Sequence, residues 1–205
     1  MNDDESTLYY IHDPMCSWCW GFRPVWQDVQ QALQDIIEIK YVLGGLAPDS
    51  DNPMPVDMQL SIRSIWQGIQ QEIPKTKFNY DFWTLCQPRR STYPACRAII
   101  ACRMQQPNLE DELLLAIQQA YYLNAQNPSD ISVLTKLAED IGLDAHLFAE
   151  DIVSSQCNKK LLEEIKFCRD INISSFPSLV LKQGKSYTLL DIDYNNSKLI
   201  LNQIV

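Results

Sequence analysis

Two cysteines separated by two residues, placed where a strand hands over to a helix, constrain this chain more than any other feature. The stretch is Tyr10-Ile11-His12-Asp13-Pro14-Met15-Cys16-Ser17-Trp18-Cys19-Trp20-Gly21-Phe22. A short apolar run, Leu8 to Ile11, enters it, and a long amphipathic segment leaves it. At a helix N-terminus the unpaired backbone N–H groups and the macrodipole favour negative charge, so the first sulfur is the one expected to be held as a thiolate. The spacing also lets both sulfurs close a small disulfide whose second thiol lies one turn into the helix. Cys16 is therefore expected to attack, and Cys19 to resolve the mixed disulfide that forms.

Other uses of such a pair fit less well. Tetrahedral zinc needs two more ligands, and the sequence holds no second CxxC and no paired histidines. A structural bridge over so short a loop restrains little chain entropy. Seven cysteines without framework spacing fit reducing conditions better than a secreted disulfide scaffold. Cys86, Cys102, Cys157 and Cys168 read as small buried apolar residues, and Cys96 is kept apart for the run it belongs to.

In chain order, Leu8 to His12 reads as a strand. The helix that follows is expected to run from about Cys16 to Ile37, with Val25, Val29, Ala32, Leu33 and Ile36 as its apolar stripe and a kink or break at Pro24. Ile37 to Leu43 reads as a second strand, stopped by Gly44-Gly45. From 47 to 150 the periodicity is helical, with no convincing strand. Ile62, Ile65, Trp66, Ile69 and Ile73 line one helix there, and Ser91 or Thr92 caps another whose first turn tolerates Pro94. A helix at 157–169, a strand at 176–181, its hairpin partner at 187–190 and a terminal helix at 195–204 complete the order. This is an α/β chain with a helical block inserted at 47–150.

The formal charge of −9 and the acidic pI argue against nucleic acid and anionic membrane surfaces as partners. No apolar run approaches the roughly 20 residues of a membrane span. Met1-Asn2-Asp3-Asp4-Glu5 is the opposite of the basic start of a signal peptide. The expectation is a soluble, cytoplasmic protein.

These residues resemble the DsbA family of thioredoxin-fold proteins, and among them the cytoplasmic group of FrnE-like proteins and predicted protein-disulfide isomerases. The likeness covers nearly the whole chain. It is carried by the run from Asp13 to Phe22 around Cys16-Ser17-Trp18-Cys19, and by Arg89-Arg90-Ser91-Thr92-Tyr93-Pro94-Ala95-Cys96-Arg97-Ala98. The helical insertion and Phe176-Pro177 opening a strand complete it. The resemblance implies a thioredoxin fold assembled from 1–46 and 151–205, with an all-helical domain of 47–150 inserted. It implies that Pro177 is a cis-proline facing Cys16 and Cys19, and that the backbone of Phe176 pairs with a bound substrate chain, with Ser17 and Trp18 beside it. Two departures matter. Ser17 and Trp18 stand where periplasmic members place a thiolate-stabilising histidine, which implies a less oxidising pair. Tyr10 occupies the position of a buried acid common in thioredoxin-like proteins, so the proton acceptor for Cys19 lies open between Asp13 and a water. Thr92 is expected either to cap its helix or, with Arg90, to line the substrate groove.

The implied activity is thiol–disulfide oxidoreduction, of the protein-disulfide isomerase type, on protein or small-thiol disulfides. No bound cofactor is expected. The redox group is the Cys16–Cys19 pair itself, with glutathione as a candidate co-substrate. The alternative is a glutathione-dependent isomerase or transferase similar to 2-hydroxychromene-2-carboxylate isomerase and kappa-class glutathione transferases. Those commonly carry a single serine or cysteine, so retention of both Cys16 and Cys19 argues for redox chemistry. A binding module with an inert pair is the third reading.

Overall fold

The computed structural model describes residues 6–204, so the acidic run Met1–Glu5 lies outside the described residues. Strand β1 (Thr7–His12) is buried along nearly its whole length because each face meets a different helix. Leu8 and Tyr10 pack with Phe22, Val25, Trp26, Val29 and Leu33 of α1 (Ser17–Leu33). Ile11, on the alternate face, packs with Val42, Val180 and Cys168, the last from α8 (Ser155–Asp170). A period of two along the strand thus divides the core into two layers.

β2 (Glu38–Leu43) runs parallel to β1, as α1 crossing over between them allows. β3 (Ser178–Gln183) is antiparallel to β1, and β4 (Ser186–Leu190) is antiparallel to β3, giving the order β2-β1-β3-β4. Between β2 and β3 lie α2 (Val56–Glu72), α3 (Phe82–Leu85), α4 (Tyr93–Gln105), α5 (Glu110–Tyr122), α6 (Ile131–Asp140), α7 (Ala145–Asp151) and α8. The short α9 (Ser197–Leu201) follows β4. Pro53 and Arg89 form an isolated bridge, and among the described residues no strand of this block joins the sheet. Its apolar core, built on Trp66, Phe82, Ile99, Ile117, Tyr122 and Leu161, also takes in Met15 and Leu43. The helical block therefore packs directly on the loop that precedes Cys16. A polar clamp adds to this. Arg103 of α4 reaches Glu110 of α5, Glu164 of α8 and the carbonyl of Tyr41, while Glu164 accepts the Leu43 N–H. Among the described residues no helix is long and apolar enough to cross a membrane.

Several expected boundaries shift. α1 stops at Leu33, so Ala32 is exposed and Ile36, 64% exposed in the following turn, does not extend the stripe. The stripe is instead Phe22, Val25, Trp26, Val29 and Leu33. The helix runs through Pro24, which sits on the solvent side, so the missing N–H faces no core group. Ile65 is 42% exposed, because Trp66 and Ile69, with Ile73 at the helix's C-cap, form the contact face of α2. That face comes close to α1 at Gly21, where a Cβ would lie 2.8 Å from the Ile73 side chain. β3 begins at Ser178, after the proline. α9 begins at Ser197, because the Asn196 side chain accepts the Lys198 N–H and fixes the start there.

Candidate redox site

Cys16 is the residue that ends the loop and opens α1. Its backbone is extended (φ −81°, ψ 116°), its N–H donates to Asp13 O at 3.0 Å, and its carbonyl accepts the first helical N–H, from Trp20, at 3.1 Å. No side chain caps this helix start, which leaves the N–H groups of the first turn turned toward the Cys16 side. Cys19 follows one turn later on the buried face. Both are free thiols, Cys16 6% exposed and Cys19 fully buried. Burial foremost, and then the neighbouring Cys16, push the Cys19 thiol well up, while the Asp13 N–H opposes this.

The other half of the site comes from the segment before β3. The Phe176–Pro177 bond is cis, and the Cys16 thiol donates to the Phe176 carbonyl at 3.3 Å. Pro177 is buried and Phe176 half-buried. Gly44, read from sequence only as a strand stop, turns out to be needed here. A Cβ at that position would lie 2.0 Å from the Phe176 ring, so only glycine lets the ring lie against the end of β2. Ser17 and Trp18 are half-exposed at the rim, and the Trp18 ring lies 5.0 Å from that of Tyr194. Tyr194 also packs against Phe22, and burial foremost raises its phenol. Nothing in the sequence around Asp191-Ile192-Asp193 singled it out, because the loop reaches the site only through the turn after β4.

Asp13 organises the base of the site. It is fully buried, and its carboxylate takes the N–H of Met15 at 2.8 Å, the N–H of Leu46 at 2.7 Å and the Thr92 hydroxyl at 2.7 Å. The Cys96 thiol approaches it at 3.5 Å. Burial raises the Asp13 carboxyl, and these hydrogen bonds hold it back down. The two expectations for Thr92 are therefore both corrected. Its side chain does not cap α4, and at 2% exposure it lines no groove. The hydroxyl is committed to Asp13 and to the Ala47 N–H, tying the loop after β2 and the start of α4 to the loop before Cys16. Arg89, in the same run, is bound to Asp130 and to Ser129 O. Among the described residues no group of three or more His, Cys, Asp or Glu is placed to hold a metal.

Every partner of the Asp13 carboxylate is a donor, so an amide in its place turns its own N–H₂ toward donors. Asp13→Asn is expected to cost about 1–3 kcal/mol of stability. A denaturant melt reads the loss, and an unchanged midpoint would contradict this account of the loop.

Comparison with known proteins agrees with this fold. The family model described as thioredoxin matches residues 9–196. A Nitrosomonas europaea structure described as a candidate protein disulfide isomerase superposes with a TM-score of 0.84, at 26% identity, over 98% of this chain and all of its own. The cytosolic disulfide reductase DsbM of Pseudomonas aeruginosa gives a TM-score of 0.73 at 21% identity, over 90% of this chain and 89% of that one. DsbM has also been solved with GSH. Among curated proteins, the ClpXP adapter protein SpxH of Halalkalibacterium halodurans is 23% identical over 177 residues, 84% of this chain and 57% of the relative. The chain thus spans less than two thirds of the length of the curated relatives it matches.

Proposed function

This chain belongs to the thioredoxin family, and from that premise we propose that Cys16 and Cys19 are the reactive pair of a thiol–disulfide oxidoreductase. The observation that carries the reading is the 3.3 Å contact from the Cys16 sulfur to the Phe176 carbonyl. A reactive sulfur at a helix start thus lies beside a backbone acceptor just outside the sheet. An extended chain that donates an N–H to that carbonyl brings its own sulfur to Cys16, in the manner of a strand added to an edge. The Cys16 thiolate attacks one sulfur of the substrate disulfide, and the other leaves as a thiolate that takes up a proton. Cys19 then loses its proton and attacks the Cys16 sulfur. The second substrate thiol is released, and two electrons have passed from the pair to the substrate. The reverse sequence oxidises a dithiol.

Substrates are protein or small-thiol disulfides, with glutathione as co-substrate; the GSH complex of the similarly folded DsbM supports the small-thiol part. The description of DsbM as cytosolic supports a cytoplasmic setting. Isomerisation is the finer activity, and the Nitrosomonas europaea likeness supports it. The competing reading is the glutathione-dependent isomerase or transferase, for which a single sulfur suffices. The burial of Cys19 directly behind Cys16 favours the two-thiol reaction. The adapter role belongs to the SpxH proteins by name; for this chain, a purely binding role requires an inert pair.

Equilibration in glutathione redox buffers, followed by alkylation of free thiols, tests the proposal. Cys16 and Cys19 are expected to lose and regain their thiols together, in one two-electron transition. A pair that stays reduced under oxidising buffer, or one that titrates with a single electron equivalent, would sink it.

A further inference from the structure

Beside the dithiol runs a groove of about 690 Å³ that the redox reaction as described does not use. Its floor is the outer face of α1, from Trp20 through Arg23, Pro24 and Gln27 to Asp28. One wall is the turn after α2, Ile73 to Lys77, and the other is Leu115 and Leu123 at the side of α5. Tyr194 and Asn195 close the end nearest the sulfurs. The walls are tied together by hydrogen bonds and stacking. The Trp20 indole donates to Lys77 O at 3.0 Å and stacks on Tyr122, the Thr76 N–H bonds Ile73 O at 2.9 Å, and Asn195 reaches Glu72 O.

The charge of the groove runs against that of the protein. The chain carries a net −9, yet the groove lining holds Arg23, Lys75 and Lys77 against one acid, Asp28. Arg23 is spent on Asp111 and Gln118. Lys75 and Lys77 are exposed and pair with no acid among the described residues. The rest of the lining is largely apolar, with Trp20 and Pro24 on the floor and Ile73, Pro74, Leu115 and Leu123 in the walls. Apolar walls with two ammonium groups at the rim, neither in an ion pair among the described residues and together outnumbering the carboxylate of Asp28, suit an occupant that is itself amphipathic and acidic.

The position along α1 sets the length of that occupant. At about 1.5 Å per helical residue, the floor begins about 6 Å beyond Cys16 and ends about 18 Å beyond it. An extended chain covers roughly 3.3–3.6 Å per residue. A substrate whose cysteine is bonded to Cys16 therefore fills the groove with residues roughly two to five positions away. Tyr194 is the link between the two places, since its ring meets Trp18 of the dithiol and its side chain lines the groove.

We infer that this groove is a specificity subsite for an acidic polypeptide segment flanking the substrate's cysteine, read by Lys75 and Lys77 at the rim and by the apolar side chains beneath. The inference rests on the proposed redox activity for the identity of the bound chain, and its test separates the two. Short synthetic peptides carry one cysteine as a mixed disulfide with thionitrobenzoate, whose release is followed by absorbance. They differ only in having Glu, Gln or Lys either next to the cysteine or about four residues from it. The reduced protein is expected to react fastest with distant Glu and slowest with distant Lys, by about tenfold at low salt, with the preference shrinking as salt rises. The Lys75→Glu/Lys77→Glu double variant is expected to reverse the order, a reversal that loss of structure cannot produce. Equal rates for the distant-Glu and distant-Lys peptides overturn the subsite while leaving the redox reading intact. A preference set only by the adjacent residue overturns it in favour of a small acidic thiol. If no peptide reacts, the redox reading falls. The subsite then stands only if a serine analogue of the distant-Glu peptide still binds by fluorescence anisotropy and loses binding in the double variant, and it falls otherwise.

Discussion

Replacing Cys16 by serine is expected to abolish disulfide exchange, by roughly a thousandfold or more, because the attacking atom itself is removed and a serine hydroxyl at neutral pH is no substitute. Cys19→Ala has a different outcome. Cys19 is fully buried, so the alanine leaves a small void, and the fold is expected to survive. Cys16 keeps its place at the start of α1, against the Phe176 carbonyl. The first step of exchange therefore proceeds and the second cannot, and substrate accumulates as a mixed disulfide on Cys16 that only added thiol releases. Mass spectrometry of the protein after exposure to a peptide disulfide reads both outcomes. Adduct on Cys19→Ala and none on Cys16→Ser is the expected pattern. The glutathione-isomerase reading predicts instead that Cys19→Ala keeps most of its turnover, since that chemistry needs one sulfur. Full glutathione-dependent isomerisation by Cys19→Ala, with no exchange by the wild type, would reverse the assignment.

What the sequence made legible follows from how local each signal is. The strand–CxxC–helix arrangement is contained in a dozen consecutive residues, and its geometry is set by short-range backbone constraints. That Pro177 faces Cys16 was reached only through a family resemblance, and the contact itself falls on the Phe176 carbonyl, 160 positions from Cys16 and 3.3 Å from its sulfur. Gly44 and Tyr194 escaped notice for a related reason. A glycine after a strand has an adequate local explanation as a stop, and its real constraint is a ring contributed from 132 residues further along the chain. Thr92 misled in the opposite direction. A threonine before a helix is a common sign of a cap, but here the hydroxyl found a buried carboxylate with a stronger claim on it. Ile36 and Ile65 failed as core residues because helical periodicity tells which residues share a face, not where the helix stops or how wide its partner is.

The second large effect comes from His12, the last residue of β1, next to Asp13. Its ring is wholly buried, stacked on Tyr10 at 4.9 Å and edge-on to Tyr41 at 5.5 Å, and neither nitrogen has a hydrogen-bond partner among the described residues. Burial foremost, and then the charges of Arg103 and Arg23, lower its pKa from 6.5 to about 3. The unfolded chain therefore binds a proton below pH 6.5 that the folded chain refuses until about pH 3. Between those values the unfolded state holds more protons, so stability rises with pH and is lost as pH falls through the window. The loss attributable to this one ring is on the order of 3 kcal/mol at pH 4.5. Asp13 works the other way, since its raised carboxyl keeps a proton in the folded state longer than in the unfolded one. That contribution falls as pH rises from the unfolded carboxylate value, so it offsets His12 only at the acid end. His12→Phe keeps the two ring contacts and removes both unpartnered nitrogens. It is expected to be at least as stable as the wild type at pH 7.5 and to lose most of the decline between pH 6.5 and 4.5. Denaturant midpoints at the two pH values decide the matter, and wild type and variant falling in parallel would show that the acid sensitivity lies elsewhere. An imidazole held neutral here also adds no further positive charge to a core already within reach of Arg103 and Arg23, one residue from the loop that positions Cys16.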